Sequence, residues 1–155
     1  MTGEITIRSG TPADLEQVIA IAQSSKTAAH WGSSEYGQIF QTKRFLFIAE
    51  NQTEIVGFLV AHDIVGEWEL ENVVVQQRFQ QRGIGQKLVD ALVGAAEGNA
   101  ASIFLEVRES NAAARKLYAK CGFQACGRRK DYYVDPREDA ILYRFLCTSA
   151  ALEKC

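Results

Sequence analysis

"VVVQQRFQQRGIGQKLVDAL", residues 73–92, is the stretch on which the reading of this chain turns. Three β-branched residues, Val73, Val74 and Val75, suit a strand. From Ile84 onward the apolar residues change to the helical period, with Ile84, Leu88, Ala91, Leu92 and Ala95 falling on one stripe. Between the two lies a polar knot that contains Gly83 and Gly85. A glycine-rich helix start exposes several backbone N–H groups at the positive end of the helix dipole, which suits a phosphate or pyrophosphate. A P-loop would need Gly-Lys-Ser/Thr, and neither glycine is followed by it. The dinucleotide fingerprint G-x-G-x-x-G begins as Gly83-Ile84-Gly85, but Leu88 occupies its third glycine position. A tight turn with no ligand stays open on these residues alone.

Working outward, "ITIRSG" alternates as a strand, and "TPADLEQVIAIAQ" follows as a helix with Thr11 as its N-cap and Asp14 three residues later. "RFLFIAE", "EIVGFLVAHDI" and "EWELENVVV" read as three strands whose short connections favour an antiparallel meander. After the helix stopped by Gly98-Asn99, "SIFLEVRE" is a short apolar strand expected to run parallel to an earlier one. "NAAARKLYAKCGF" is a helix with Ala114, Leu117, Tyr118 and Cys121 turned inward and Gly122 as its stop. "RRKDYYVDPREDAILYRFL" is expected to be a loop and one final strand. Residues 24–40 read as a short helix or an ordered loop. The order describes an α+β or mixed α/β chain, with helices on both faces of a central sheet and one domain over 1–147 followed by a tail at 148–155.

At 155 residues the chain suits one ordinary core, and 47% hydrophobic with 23% charged residues is the balance of a globular protein. Seventeen basic against nineteen acidic side chains give a net charge of -2, which offers no chain-wide field for nucleic acid or an anionic membrane. The N-terminus carries no signal-peptide pattern and no apolar run reaches membrane-spanning length, so the expected location is cytoplasmic. Cys121, Cys126, Cys147 and Cys155 form no CxxC pair and have only His30 and His62 for company, so the reading is four free thiols and no metal site.

Taken together, Gln80-Gln81-Arg82-Gly83-Ile84-Gly85 has the form Gln/Arg-x-x-Gly-x-Gly/Ala, follows a strand and opens an amphipathic helix. The segment resembles the acyl-CoA pyrophosphate signature of the GNAT superfamily of N-acetyltransferases. The resemblance implies acetyl-CoA as cosubstrate, and a mostly antiparallel sheet with one parallel, splayed strand pair. It implies a bulge in the strand before the loop, with backbone donors of Val73, Val74 and Val75 on the acetyl carbonyl. It also implies cofactor contacts from Gln81, Arg82, Gly83, Ile84, Gly85 and Gln86, with Arg82 facing a phosphate. "FLEVRESNAAARKLYAKCGF" and "RRKDYYVDPREDAILYRF" are similar, more narrowly, to the ribosomal-protein-alanine N-acetyltransferases of bacteria (RimI type), over residues 70–145. That likeness implies direct acetyl transfer to the N-terminal alanine of a small-subunit ribosomal protein. Trp31 matches as well, without the Pro-Trp-Ser frequent there.

The chemistry needs a neutral amine, a polarised carbonyl and a proton for the departing thiolate. The resemblance puts the general base on Glu106, a carboxylate in an apolar strand on the side of Phe104, where desolvation would favour a proton acceptor. The alternative for Glu106 is a strand-end carboxylate paired with Arg108 or Arg115. The resemblance makes Tyr118 the acid for the CoA sulfur, against a plain core aromatic. Asn111 is a helix N-cap that in this family also touches CoA. Glu67, Glu69 and Glu71 share one strand face, the wet face of a strand or a lure for a basic peptide, with Glu71 as the reserve base. Tyr132, Tyr133, Glu138 and Asp139 lie where the family receives the acceptor N-terminus. An acetyltransferase for a small amine or lysine side chain is the first alternative, and a non-catalytic acetyl-CoA-binding module the second.

Overall fold

A computed structural model describes residues 4–26, 28–29, 31–52 and 54–147. The expected tail, with Cys155, and His30 lie outside the described residues. Seven strands form one sheet in the order β1-β2-β3-β4-β5-β7-β6. The strands are β1 (Ile5–Ser9), β2 (Arg44–Asn51), β3 (Glu54–Ile64), β4 (Glu67–Val75), β5 (Ser102–Arg108), β6 (Gln124–Val134) and β7 (Arg137–Leu146). Four helices accompany them: α1 (Leu15–Ser24), α2 (Ser33–Gly37), α3 (Ile84–Ala96) and α4 (Ala112–Lys120). Every neighbouring pair is antiparallel except β4 and β5, which are parallel. The meander and the parallel return are therefore as the sequence implies.

Two apolar clusters sit on opposite faces of this sheet. On one face α3 and α4 pack over Leu59, Trp68, Ile103 and Leu105, with Leu88, Leu92 and Tyr118 among the buried contributors. On the other, α1 and the segment around Tyr36 and Ile39 cover Ile48, Phe58, Val60 and Val74. Burying one such aliphatic side chain contributes about 1.5–3 kcal/mol, so each helix is held mainly by its apolar stripe. The buried stripe of α3 is Ile84, Leu88, Val89, Leu92 and Ala96. Ala91 and Ala95 are half-buried at its margin, with Ala95 packed against the same cluster.

The C-terminal region differs from expectation. Residues 124–146 form a hairpin, β6 and β7, rather than a loop and a single strand. β6 is the outermost strand, and ten of its eleven residues are exposed, so it carries no buried alternation that a periodicity argument could detect. Its arginines and lysine suit an unpaired edge, where charge opposes strand addition. Among the described residues of 24–40 stand the end of α1, the short α2 and the start of a single turn at Ile39–Gln41, with Tyr36 buried.

Near the N-terminus, Asp14 is the charged link between β1 and the start of α1. It accepts a fork from Arg8 Nη1 and Nη2 at 2.9 Å each and a third bond from the Thr11 backbone N–H at 2.7 Å. These donors, the Arg8 fork first, hold its carboxyl down at about 2 against an ordinary 3.8. A depressed carboxylate stabilises the fold above its unfolded pKa, and the contribution fades as pH falls towards the folded value. Asp14→Asn should thus cost about 2 kcal/mol at pH 7 and far less near pH 2, as denaturant titrations at both pH values will show.

Candidate active site

The site starts where β4 and β5 stop pairing. Their parallel ladder holds only Glu67 with Ser102, Trp68 with Ile103 and Glu69 with Phe104. Beyond that point β5 continues antiparallel to β7 as far as Arg108, while β4 stays with β3 as far as Val75. The strands diverge, and the β4 backbone from Glu71 to Val75 has no strand partner on the β5 side. On the β3 side the register shifts, with Val60 opposite Asn72 and Ala61 opposite Leu70, so Glu71 is the extra residue of a bulge. Trp68 and Leu70 face α3, whereas past the bulge Asn72 and Val74 face the α1 side and Val73 and Val75 take over the α3 side. Asn72 fixes that switch, donating to the Tyr36 hydroxyl at 3.1 Å and accepting from the Ala29 N–H at 3.2 Å.

The chain next turns into α3. Gln81 and Gly83 both have left-handed backbone, at φ 64° and 79°. No side chain caps the helix. Its first-turn N–H groups are thus aimed beyond the helix end. The two glycines answer different demands. Gly83 is needed for conformation, since a Cβ there would meet open space. At Gly85 the issue is room, since a Cβ would lie 3.3 Å from Leu117 Cδ2 of α4, which would have to shift slightly. Arg82 is exposed, stands 5.5 Å from the Phe79 ring centre and has no ion pair among the described residues. Gln81 is exposed, and Ile84 and Gln86 are buried and half-buried. The junction therefore combines free helix-start N–H groups with the Arg82 charge, the donors a pyrophosphate needs.

Asn111 caps α4, its Oδ1 accepting from the Ala114 N–H at 3.2 Å. Tyr118 is buried between Phe123 and Tyr143, with ring centres 5.9 and 6.2 Å away, and burial keeps its hydroxyl protonated far above neutral pH. Leu117 against Gly85 ties this helix to the start of α3.

The opposite wall is acidic. Glu106 is on the β5 face away from the Leu105 core, and its partner is neither Arg108 nor Arg115 but Arg129 of β6, Nε to Oε1 at 3.1 Å. Its other oxygen is buried without a hydrogen bond. Arg108 instead braces the hairpin, donating to Pro136 O at 2.9 Å and Glu138 Oε1 at 3.3 Å. Glu71 takes a fork from Arg44, at 2.6 and 3.0 Å. Glu69 is half-buried, and burial, followed by the charges of Glu71 and Glu106, pushes its carboxyl up. Tyr132 and Tyr133 meet edge to face at 5.1 Å, with Arg129 5.7 Å from the first ring and Arg108 4.3 Å from the second. Glu138 is committed internally, to Arg108 and to the Ser110 N–H at 2.7 Å, and Asp139 to the Asp131 N–H and Arg128.

His62, Glu69 and Glu71 bring ligand-type atoms within 4.8 Å of one another. The Arg44 guanidinium already occupies both oxygens of Glu71, so the charge balance there is set by an arginine. Cys121, Cys126 and Cys147 are free thiols. No described helix is long and apolar enough to cross a membrane.

A strand pair that splits beside an uncapped glycine-rich helix start is the geometry of an acyl-CoA seat, and the acetyltransferase (GNAT) family model matches residues 15–123. The chain belongs to the GNAT family. It is an acetyl-CoA-dependent N-acetyltransferase. This GNAT enzyme is 33% identical over 141 residues to the ribosomal protein bS18-alanine N-acetyltransferase of Escherichia coli K12, covering 88% of the chain and 94% of that protein. The Haemophilus influenzae protein of the same name is 34% identical over 138 residues, 83% of this chain and 90% of that one. Among solved structures, the ribosomal-protein-S18-alanine N-acetyltransferase from Escherichia coli superposes with a TM-score of 0.84 at 29% identity, covering 94% and 95% of the two chains. Ard1 from Thermoplasma volcanium gives 0.80 at 28%, covering 94% and 99%.

Two neighbours of the cleft escaped sequence reasoning. Arg129 lay in a segment read as loop, and His62 of β3, the cross-strand partner of Glu69, had no motif to mark it. Strand register was the missing information in both cases. For the helix start, Gly83→Ala should cost about 1–2 kcal/mol from the left-handed backbone alone and weaken acetyl-CoA binding in calorimetry. Gly85→Ala should act differently, loosening the contact of α3 with α4 through Leu117.

Proposed function

We propose that this enzyme moves acetyl from acetyl-CoA to the α-amino group of a protein N-terminus, with the N-terminal alanine of ribosomal protein S18 as its acceptor. The transfer is a direct attack in a ternary complex in the cytoplasm. The observation that carries the reading is the separation of β4 from β5, which opens a cleft with unpaired backbone on one wall and carboxylates on the other. Likeness to bS18-alanine N-acetyltransferases across 88% of the chain supports the choice of acceptor.

Acetyl-CoA brings the activated acetyl group as a thioester. Backbone N–H groups among Val73, Val74 and Val75 hold its carbonyl oxygen, where negative charge grows as the amine attacks. Gly83, Ile84, Gly85 and Gln86, with Gln81 and Arg82 beside them, offer the pyrophosphate N–H donors and positive charge. Asn111 combines its cap with a contact to the CoA chain. Tyr118, kept protonated by burial, gives its proton to the departing sulfur, and Glu106 takes one from the attacking nitrogen. Tyr132 and Tyr133 flank the acceptor, while Glu71 and Glu138 hold Arg44 and Arg108 around it. An α-amine titrates near pH 8 against about 10.4 for lysine, so an N-terminal acceptor asks less of these carboxylates.

Three acceptors decide the matter: a peptide with the N-terminal sequence of S18, the same peptide with its α-amine blocked, and a panel of small amines. Turnover of the free peptide alone is expected; turnover of the blocked peptide, or of small amines only, would refute the reading. Tyr118→Phe should keep acetyl-CoA affinity within about twofold and lower kcat by about 10²-fold or more, the usual range for a lost proton donor.

A further inference from the structure

A general base works through one oxygen, and a glutamate on an open strand face has several rotatable bonds on which to lose its aim. We propose that Arg129 is the positioning residue of Glu106: it holds Oε1 and so presents Oε2 to the attacking nitrogen. The inference rests on reading Glu106 as the base of an N-α-acetyltransferase.

The two arginine–glutamate pairs of the cleft differ in what they leave free. Arg44 forks Glu71 with Nε and Nη2, at 2.6 and 3.0 Å, and so occupies both carboxylate oxygens. Arg129 instead meets Glu106 at one oxygen, Nε to Oε1 at 3.1 Å, while Oε2 is buried without a hydrogen bond among the described residues. A carboxylate held by a fork is a poor proton acceptor, whereas one held at a single oxygen keeps lone pairs for the task. The Glu106 side chain is 14% exposed and that of Arg129 56%. Solvent reaches the guanidinium, which keeps the ion pair weak enough for an incoming ammonium to share the carboxylate.

The fold brings Arg129 from two strands away. β7 lies between β5 and β6; its Leu142 pairs with Glu106, and its Ala140 pairs with Arg108 on one side and Arg129 on the other. Two strand spacings separate β5 from β6 by roughly 10 Å, a gap that two long side chains close over a small residue. Ala140 is that residue, and it is buried. Beyond Arg129 the ladder breaks: Tyr133 pairs with Glu138, so Lys130, Asp131 and Tyr132 stand against Asp139 alone. Asp131 has left-handed backbone at φ 54°, and its N–H donates to Asp139 Oδ1 at 2.8 Å. Such an irregularity re-aims the side chains beside it, and here the Tyr132 ring centre lies 5.7 Å from the Arg129 guanidinium carbon. One arginine therefore touches both the carboxylate and an aromatic of the acceptor wall.

In the step it serves, the neutral amine forms the C–N bond as the C–S bond breaks, and nitrogen passes its proton to Oε2. Tyr118 protonates the sulfur and regains a proton from Glu106 through solvent, so none is gained or lost over a turnover.

Arg129→Met keeps the reach of the side chain and its contact with Tyr132 but removes the charge and every N–H. Its kcat on the S18 N-terminal peptide should fall about tenfold, since displacing a reacting group by about 1 Å can cost about 10²-fold. Acetyl-CoA affinity should be unchanged, KM for the peptide no higher, and the melting temperature within about 2 °C of wild type, as suits an exposed position. Arg129→Lys returns a cation to Oε1 and should recover kcat to within about threefold of wild type, because the contact replaced is not a fork. A double-mutant cycle decides the matter: in a Glu106→Gln background, Arg129→Met should change kcat by less than about twofold, there being no carboxylate left to aim. An Arg129→Met enzyme as fast as wild type, a lysine variant as slow as the methionine one, or the same loss in both backgrounds overturns the proposal. A Glu106→Gln enzyme as fast as wild type removes Glu106 as the base, and the role of Arg129 with it. If wild type leaves the peptide unmodified, the acceptor reading fails instead, and the same cycle on the amine it does accept still decides Arg129.

Discussion

The constraint on which this molecule depends is the short life of one ladder. β4 and β5 pair over three residues and part after Glu69 and Phe104. A parallel pair left open exposes backbone groups that would cost free energy if buried without partners. Such an opening survives because each strand is secured elsewhere: β4 along β3, and β5 along seven residues of β7. The two apolar clusters, one on each face, hold those flanking pairs in place. The cleft is thus a defect in the sheet maintained by the regularity on both sides of it.

How much of this was legible depends on what each element hides. The meander, the three longer helices and the glycine junction were readable, because their buried faces leave a period in the sequence and their turns leave glycine. Val73, Val74 and Val75 were placed beside the cleft by resemblance to a known signature, and the bulge that positions them is centred on Glu71. β6 was not legible, since an edge strand exposed on both faces has no apolar alternation. That omission removed Arg129 from consideration and left Glu106 matched with arginines nearer in sequence. Ala91 and Ala95 sit half-buried at the edge of the α3 stripe, Ala95 still packed against the core, since alanine is compatible with either side of a helix margin.

Electrostatically the cleft has two unlike ends. One holds a helix terminus with an exposed Arg82; the other holds carboxylates, two of them already neutralised by arginines. A net charge of -2 conceals this division, because the charges are sorted by strand rather than by chain segment. On the proposed assignment, an anionic cosubstrate and a cationic acceptor would approach from opposite ends without competing for the same groups. Arg44 and Arg129 keep the acidic end from repelling itself open, which lets several carboxylates share a few ångströms.

The bulge in β4 makes the faces of that strand depend on one residue staying out of the ladder. Replacing Glu71 removes a contact with Arg44. Deleting it would leave Leu70 and Asn72 consecutive and on opposite faces, as they are now, with the amide still turned to Tyr36. Drawing Glu71 into the ladder as a paired residue would instead put Asn72 in phase with Trp68 and Leu70 and make Val73, Val74 and Val75 exchange faces. One residue of surplus backbone thus counts the register for everything that follows it, as far as the turn into α3.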